Sequence, residues 1–172
     1  MRSGDDQRSD LEATIVIDAS MIRVWTLVSD VCRMSEWSPQ VDTTALSGGV
    51  ERIAPGAKFV NTNSHGPLHW QTHGEVVRYA PEHEVAFRIE ENWVIWSFRL
   101  ERTASGGTRL IQRRETPDGI SPLSLELTEA YLGGQAAFTD IMLAGMGQTL
   151  HGIKATAEAS SPSAPTSGER QV

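Results

Sequence analysis

The feature that most constrains this chain is a change of hydrophobic period near Pro122. Upstream, apolar residues recur every second position, as in Val85, Phe87 and Ile89, which is the period of a half-buried strand. Downstream, Leu127, Tyr131, Phe138, Met142, Met146, Leu150 and Ile153 fall mainly three or four apart, which is the period of one helix face. A chain with both patterns must build a sheet first and then lay a helix against it.

The upstream part divides at its turn residues. Leu11, Ala13, Ile15 and Ile17 predict a first strand, after which Asp18 or Ser20 is placed to cap a short helix carrying Met21, Val24, Trp25 and Val28. A second short helix is predicted over 30–37, stopped by Ser38-Pro39. Strands follow over 40–46, 57–63, 68–79, 84–90, 93–101 and 108–115, separated by Gly48-Gly49, His65-Gly66-Pro67, Ala80-Pro81 and Ser105-Gly106-Gly107. One long helix is expected over 123–157. Gly133-Gly134 within it costs about 1 kcal/mol per glycine and should mark a kink, a break or a close approach. Short turns imply antiparallel neighbours, so the fold class is α+β: about seven antiparallel strands covered on one face by the C-terminal helix.

At 172 residues one domain suffices, and it is expected over 10–157. The polar stretch 1–9 and the Ser- and Pro-rich 158–172 are expected to be mobile tails. Fifteen basic against twenty-two acidic side chains give a net charge of -7, which argues against a nucleic-acid partner. The N-terminal ten residues carry no apolar run, so no signal peptide is expected, and no stretch reaches the length of a membrane span. With Cys32 the only cysteine, no internal disulfide forms and a cytoplasmic location is expected. Self-association as a homodimer is left open.

Motifs for metal, nucleotide or nucleophile chemistry are missing. His65, His69 and His73 are spaced by four, but Gly66-Pro67 forbids a helix through them. On a strand, His69 and His73 would stand about 13 Å apart, too far for one zinc ion. There is no CxxC, no HExxH, no GxSxG elbow and no phosphate loop, so no metal and no cofactor is expected. Cys32, in the apolar setting of Val31 and Met34, reads as a small buried residue rather than an activated thiolate.

Several segments carry a family likeness: Ala19-Ser20 before Val24-Trp25, the run Val31-Cys32-Arg33-Met34-Ser35-Glu36-Trp37-Ser38-Pro39, then Pro55-Gly56-Ala57-Lys58-Phe59, Trp70 followed by Val76, and Gly106-Gly107-Thr108. With the element order, the chain over about 10–156 resembles the START-like (SRPBCC) superfamily, particularly its polyketide cyclase/dehydrase-like branch. The resemblance implies a helix-grip fold with a deep pocket between sheet and helix, holding a small hydrophobic molecule. Large residues on inward strand positions would line it: Phe59, Trp70, Phe87, Trp96 and Phe98. Tyr131, Phe138 and Met142 would face them, beside the small Gly133, Gly134, Ala137 and Gly145. Trp37 is placed by the likeness at the base or mouth of the pocket, against the plainer role of a core tryptophan. Trp93, off the face shared by Val94, Trp96 and Phe98, should lie on the outer side or at a strand end.

The last strand holds the polar interest. Leu110, Gln112 and Arg114 share one face, so if Leu110 points inward the other two reach the pocket. A buried arginine requires a partner. A cross-strand ion pair with Glu90 or Glu75 is the plainer expectation, and a ligand oxyanion is the other. Three functions remain open: a binding module for a lipid-, sterol- or polyketide-like ligand; an aromatic-polyketide cyclase or dehydratase using Arg114, Gln112, Tyr131 and His73; and an antitoxin-like or regulatory partner protein.

Overall fold

The computed structural model describes residues 10–159; the expected tail 1–9 lies outside them, as does the expected tail 158–172 apart from residues 158 and 159, which are helical. Seven strands form one antiparallel sheet: β1 (Leu11–Ile17), β2 (Val41–Leu46), β3 (Lys58–His65), β4 (Leu68–Ala80), β5 (Glu84–Ile89), β6 (Ile95–Arg102) and β7 (Thr108–Glu115). Strands β2 to β7 run as a meander, and β1 joins β7, giving the order β1-β7-β6-β5-β4-β3-β2. The β3–β4 turn shows why the connections can be so short. Its two central residues are Gly66-Pro67, and Gly66 takes φ 57°, a backbone state that glycine enters without a steric penalty. A register shift between Val76 and Arg78, where β4 meets β5, adds local twist to the sheet.

Between β1 and β2 lie α1 (Met21–Val28) and a single 3-10 segment (Val31–Glu36). The Ser20 hydroxyl caps α1 by accepting from the Arg23 amide at 3.2 Å. Val24, Trp25, Leu27 and Val28 are buried, at the helical spacing read from the sequence. The second short helix expected over 30–37 is this tighter 3-10 form, capped by Asp30 accepting from the Cys32 amide.

The expected single C-terminal helix is two: α2 (Pro122–Tyr131) and α3 (Gln135–Ala159). Gly133 and Gly134 take φ 78° and 91°, which break the helix between them, and α3 extends two residues past the expected end at Ala157. Helix α2 starts at Ser121, whose hydroxyl accepts from the Ser124 amide, followed by Pro122 in the first turn. Strand β6 begins at Ile95, two residues later than expected. Trp93 stands in the preceding turn with φ 67°, where the Asn92 side chain accepts from the Val94 amide.

The sheet curves around α3 and α1. Ile17, Val24, Leu27, Leu110, Leu150, Ile153 and Ala157 are at most 4% exposed and make a continuous apolar core. Each large aliphatic side chain buried there contributes about 1.5–3 kcal/mol. Gly152 lets α3 lie close to the 3-10 segment, since a Cβ there would stand 2.7 Å from the Trp37 Cβ. Among the described residues no helix is long and apolar enough to cross a membrane.

Candidate ligand cavity

Toward the other end of the inner face the packing stops and a cavity of about 480 Å³ opens, within the range of small-molecule pockets. Its floor is sheet: Phe87 and Ile89 from β5, Trp96 and Phe98 from β6, Gln112 and Arg114 from β7. Its roof is Phe138, Met142 and Met146 from the first half of α3, with Leu127 and Tyr131 of α2 over the opening. These residues meet because strand alternation points every second side chain of β5, β6 and β7 to one face. Helix α3 presents its residues four apart to that same face.

Nine of the eleven residues expected at the pocket stand in its wall. Trp70 and Tyr131 are at the rim, 36% and 66% exposed. Trp37 and Phe59 lie outside it. Trp37 is 7% exposed and packed beneath α3 at Gly152, with the Arg33 guanidinium 5.5 Å from its ring. Phe59 faces inward as read, but the tip of its ring lies against Gly74 of the neighbouring strand. A Cβ at position 74 would sit 2.2 Å from that ring, so glycine leaves the room that Phe59 occupies outside the cavity wall. Phe59 then supports the wall from behind, edge-on to Phe87 at 5.3 Å.

Arg114 departs from the plainer expectation. It is 5% exposed and forms no ion pair with any described residue. Glu75 and Glu90 are exposed and leave it unpaired. The neighbouring Arg113 points outward and takes the carboxylates instead, with Glu12 at 3.4 Å and Asp10 at 3.6 Å. One step along a strand reverses the face, so two adjacent arginines meet opposite surroundings. Arg114 has the Phe138 ring, 5.7 Å from its guanidinium carbon. Burial drives its pKa down to about 10, only partly opposed by the charge of Asp10, so it remains a cation at neutral pH. Two residues along, Gln112 is 6% exposed and its Oε1 has no hydrogen-bond partner among the described residues.

His73 does not join this group. It points to the outer face, where its Nδ1 is bonded to Glu91, and that bond raises its pKa. The Cys32 thiol is pushed up, mainly by burial and then by Asp30, away from thiolate character. Among the described residues no group of three His, Cys, Asp or Glu side chains is close enough to hold a metal ion. Among the wall residues that went unread in the sequence are Asn61 and Asn63 of β3, 3% and 7% exposed. Their signal was present: both share the strand parity of Phe59.

Comparisons with solved structures give the fold independently. The di-domain ARO/CYC StfQ from the steffimycin biosynthetic pathway superposes with a TM-score of 0.72 at 16% identity, over 92% of this chain. This chain spans only 53% of that protein's length. The Polyketide_cyc-like protein Cgl2372 from Corynebacterium glutamicum matches with a TM-score of 0.56 at 23% identity, covering 92% of this chain and 99% of its own. Major latex-like protein 151 from Panax ginseng matches with a TM-score of 0.60 at 14% identity, over 88% and 98%. Comparison with curated proteins by sequence gives no match. The family model described as polyketide cyclase / dehydrase and lipid transport matches residues 8–158, and with its curved seven-stranded sheet gripping a long helix the chain belongs to that family.

Proposed function

We propose that this protein binds a small, mainly apolar molecule carrying an anionic or enolic oxygen, held in the cavity between sheet and α3. The observation that carries the reading is Arg114, a buried cation in a largely apolar chamber that forms no ion pair with any described residue. Leaving a guanidinium so placed costs free energy that a bound oxyanion would recover through charge-assisted hydrogen bonds. Gln112 adds an amide beside it. The aromatic floor and methionine roof suit an apolar body, as the lipid-transport part of the family description does. A reducing, cytoplasmic setting suits a chain with one cysteine.

The test uses dodecanoate and its neutral analogue 1-dodecanol, each displacing the dye Nile red. Arg114→Met should weaken dodecanoate tenfold or more, corresponding to about 1.5–3 kcal/mol for a charged hydrogen bond, and leave the alcohol nearly unchanged. Equal loss for both ligands would overturn the reading.

A second reading, aromatic-polyketide cyclisation or dehydration, is favoured by the family description and by the ARO/CYC relative. In it the pocket folds a poly-β-ketone chain while Arg114 and Gln112 stabilise enolate charge as it develops. His73, turned outward, has no part in this version.

A further inference from the structure

A pocket for a plain hydrocarbon tail needs only apolar walls, and on β3 the wall is polar. Inward of Phe59 the strand presents Asn61 and then Asn63, where Val or Leu would complete the lining. Each amide is tethered at one end. Asn61 Oδ1 accepts from the Thr44 hydroxyl at 2.6 Å, and Asn63 Nδ2 donates to the Thr72 hydroxyl at 3.0 Å. The opposite ends, Asn61 Nδ2 and Asn63 Oδ1, have no hydrogen-bond partner among the described residues. Thus a fixed donor and a fixed acceptor stand side by side in the wall, uncharged and already oriented. Both atoms face the open space of the cavity, where water or a polar group of an occupant supplies the partner.

This pair stands far from Arg114. Strands β4, β5 and β6 lie between β3 and β7, so the two polar positions are four strand spacings apart, about 19 Å along the curved sheet. Between them the floor is Phe87, Ile89 and Trp96. From this juxtaposition we infer that the ligand is two-headed: an elongated apolar body with an anionic group at Arg114 and a neutral hydroxyl, keto or amide group at Asn61 and Asn63. The inference rests on the reading of Arg114 given above and adds the second head.

The experiment measures binding of ω-hydroxy carboxylates of 8 to 16 carbons beside the plain carboxylates of equal length. In an apolar pocket a terminal hydroxyl weakens binding at every length, because it loses its water. With the asparagine pair as its receptor, the hydroxyl should strengthen binding about tenfold at the lengths that reach β3. Asn61→Leu, alone and with Asn63→Leu, should abolish that gain while plain carboxylates bind at least as tightly, because leucine completes the apolar lining, and that binding shows the pocket is intact. A hydroxyl that weakens binding at all lengths in the wild-type protein overturns the proposal, whatever the variants do, and leaves Arg114 as the sole head-group site. A gain that survives both substitutions overturns it too. If plain carboxylates do not bind, or Arg114→Met binds them equally well, the underlying reading of Arg114 fails and the two-headed ligand with it.

Discussion

Helix α3 has two ends that meet the same sheet in opposite ways. Its second half buries Leu150, Ile153 and Ala157 against β1 and α1, with nothing left open. Its first half holds Phe138 and Met142 over a cavity. Polar groups at the two ends differ as well, although Arg23 at the solid end, bonded to the Thr156 carbonyl, keeps its Nε without a partner among the described residues. At the solid end the fully buried Thr108 donates its hydroxyl to the Ala19 carbonyl at 2.8 Å, and is satisfied. At the hollow end Gln112, Arg114 and the two asparagines of β3 each keep an atom without a partner among the described residues. One end is packed for stability and the other leaves polar groups unmatched around open space, a trade common at functional sites.

The largest effect should come from truncating the solid end. Leu110→Ala or Ile153→Ala removes a side chain with 0% exposure and should cost about 2–5 kcal/mol. Phe138→Ala, larger in volume but half-buried over a space already open, should cost only about 1 kcal/mol. Urea unfolding of the three variants checks this. Similar losses at both ends would break the comparison.

The next effect has the opposite sign. Because burial lowers the pKa of Arg114 to about 10, the unfolded chain holds this proton more tightly than the folded one. The resulting penalty is present in full below that value and relieved only as pH rises through it, so at pH 7 it is complete. Arg114→Met should therefore stabilise the ligand-free protein, by about 2 kcal/mol once the lost contact with Phe138 is set against the relief. A variant that is less stable than the parent would mean that Arg114 serves the fold.

Much of this architecture can be read from residue parity. The alternation in β7 puts Leu110, Gln112 and Arg114 inward, whereas Gly133-Gly134 marks only the place of a kink, a break or a close approach, and the single helix expected there is two. What parity cannot supply is the neighbour across the sheet. Phe59 faces inward, yet whether its ring enters the pocket depends on Gly74 opposite, which only the β3–β4 register reveals. Trp37 is decided in the same way by Gly152, more than a hundred residues along the chain. The ion pair expected for Arg114 fails for a related reason. The carboxylates near β7 lie on the outer face, within reach of Arg113 and of Arg78, which bonds Glu115 at 2.6 Å.

The smallest effect concerns pH, and it should touch the hollow end alone. The Glu91 carboxylate bonds both the ring and the backbone amide of His73, while the Glu91 carbonyl accepts from the Ser121 hydroxyl at 2.6 Å. Ser121 caps α2, so the ion pair, the turn before β6 and the helix over the cavity mouth are linked in sequence. The hydrogen bond to Glu91, then its charge, with a lesser contribution from Glu90, raises the His73 pKa. A raised histidine pKa means that the stabilisation is complete below the ordinary value of about 6.5 and is lost as pH rises through the folded-state value. Both side chains are substantially exposed, so solvent screening keeps the contribution small. Imidazole titration by NMR should give His73 a pKa above the ordinary value in the parent and near it in Glu91→Gln. Between pH 6 and pH 8, amide protection corrected for intrinsic exchange should fall modestly in residues 90–94 and the first turn of α2. It should not change around Leu150 and Ile153, and a loss there would show that the two ends are not separable.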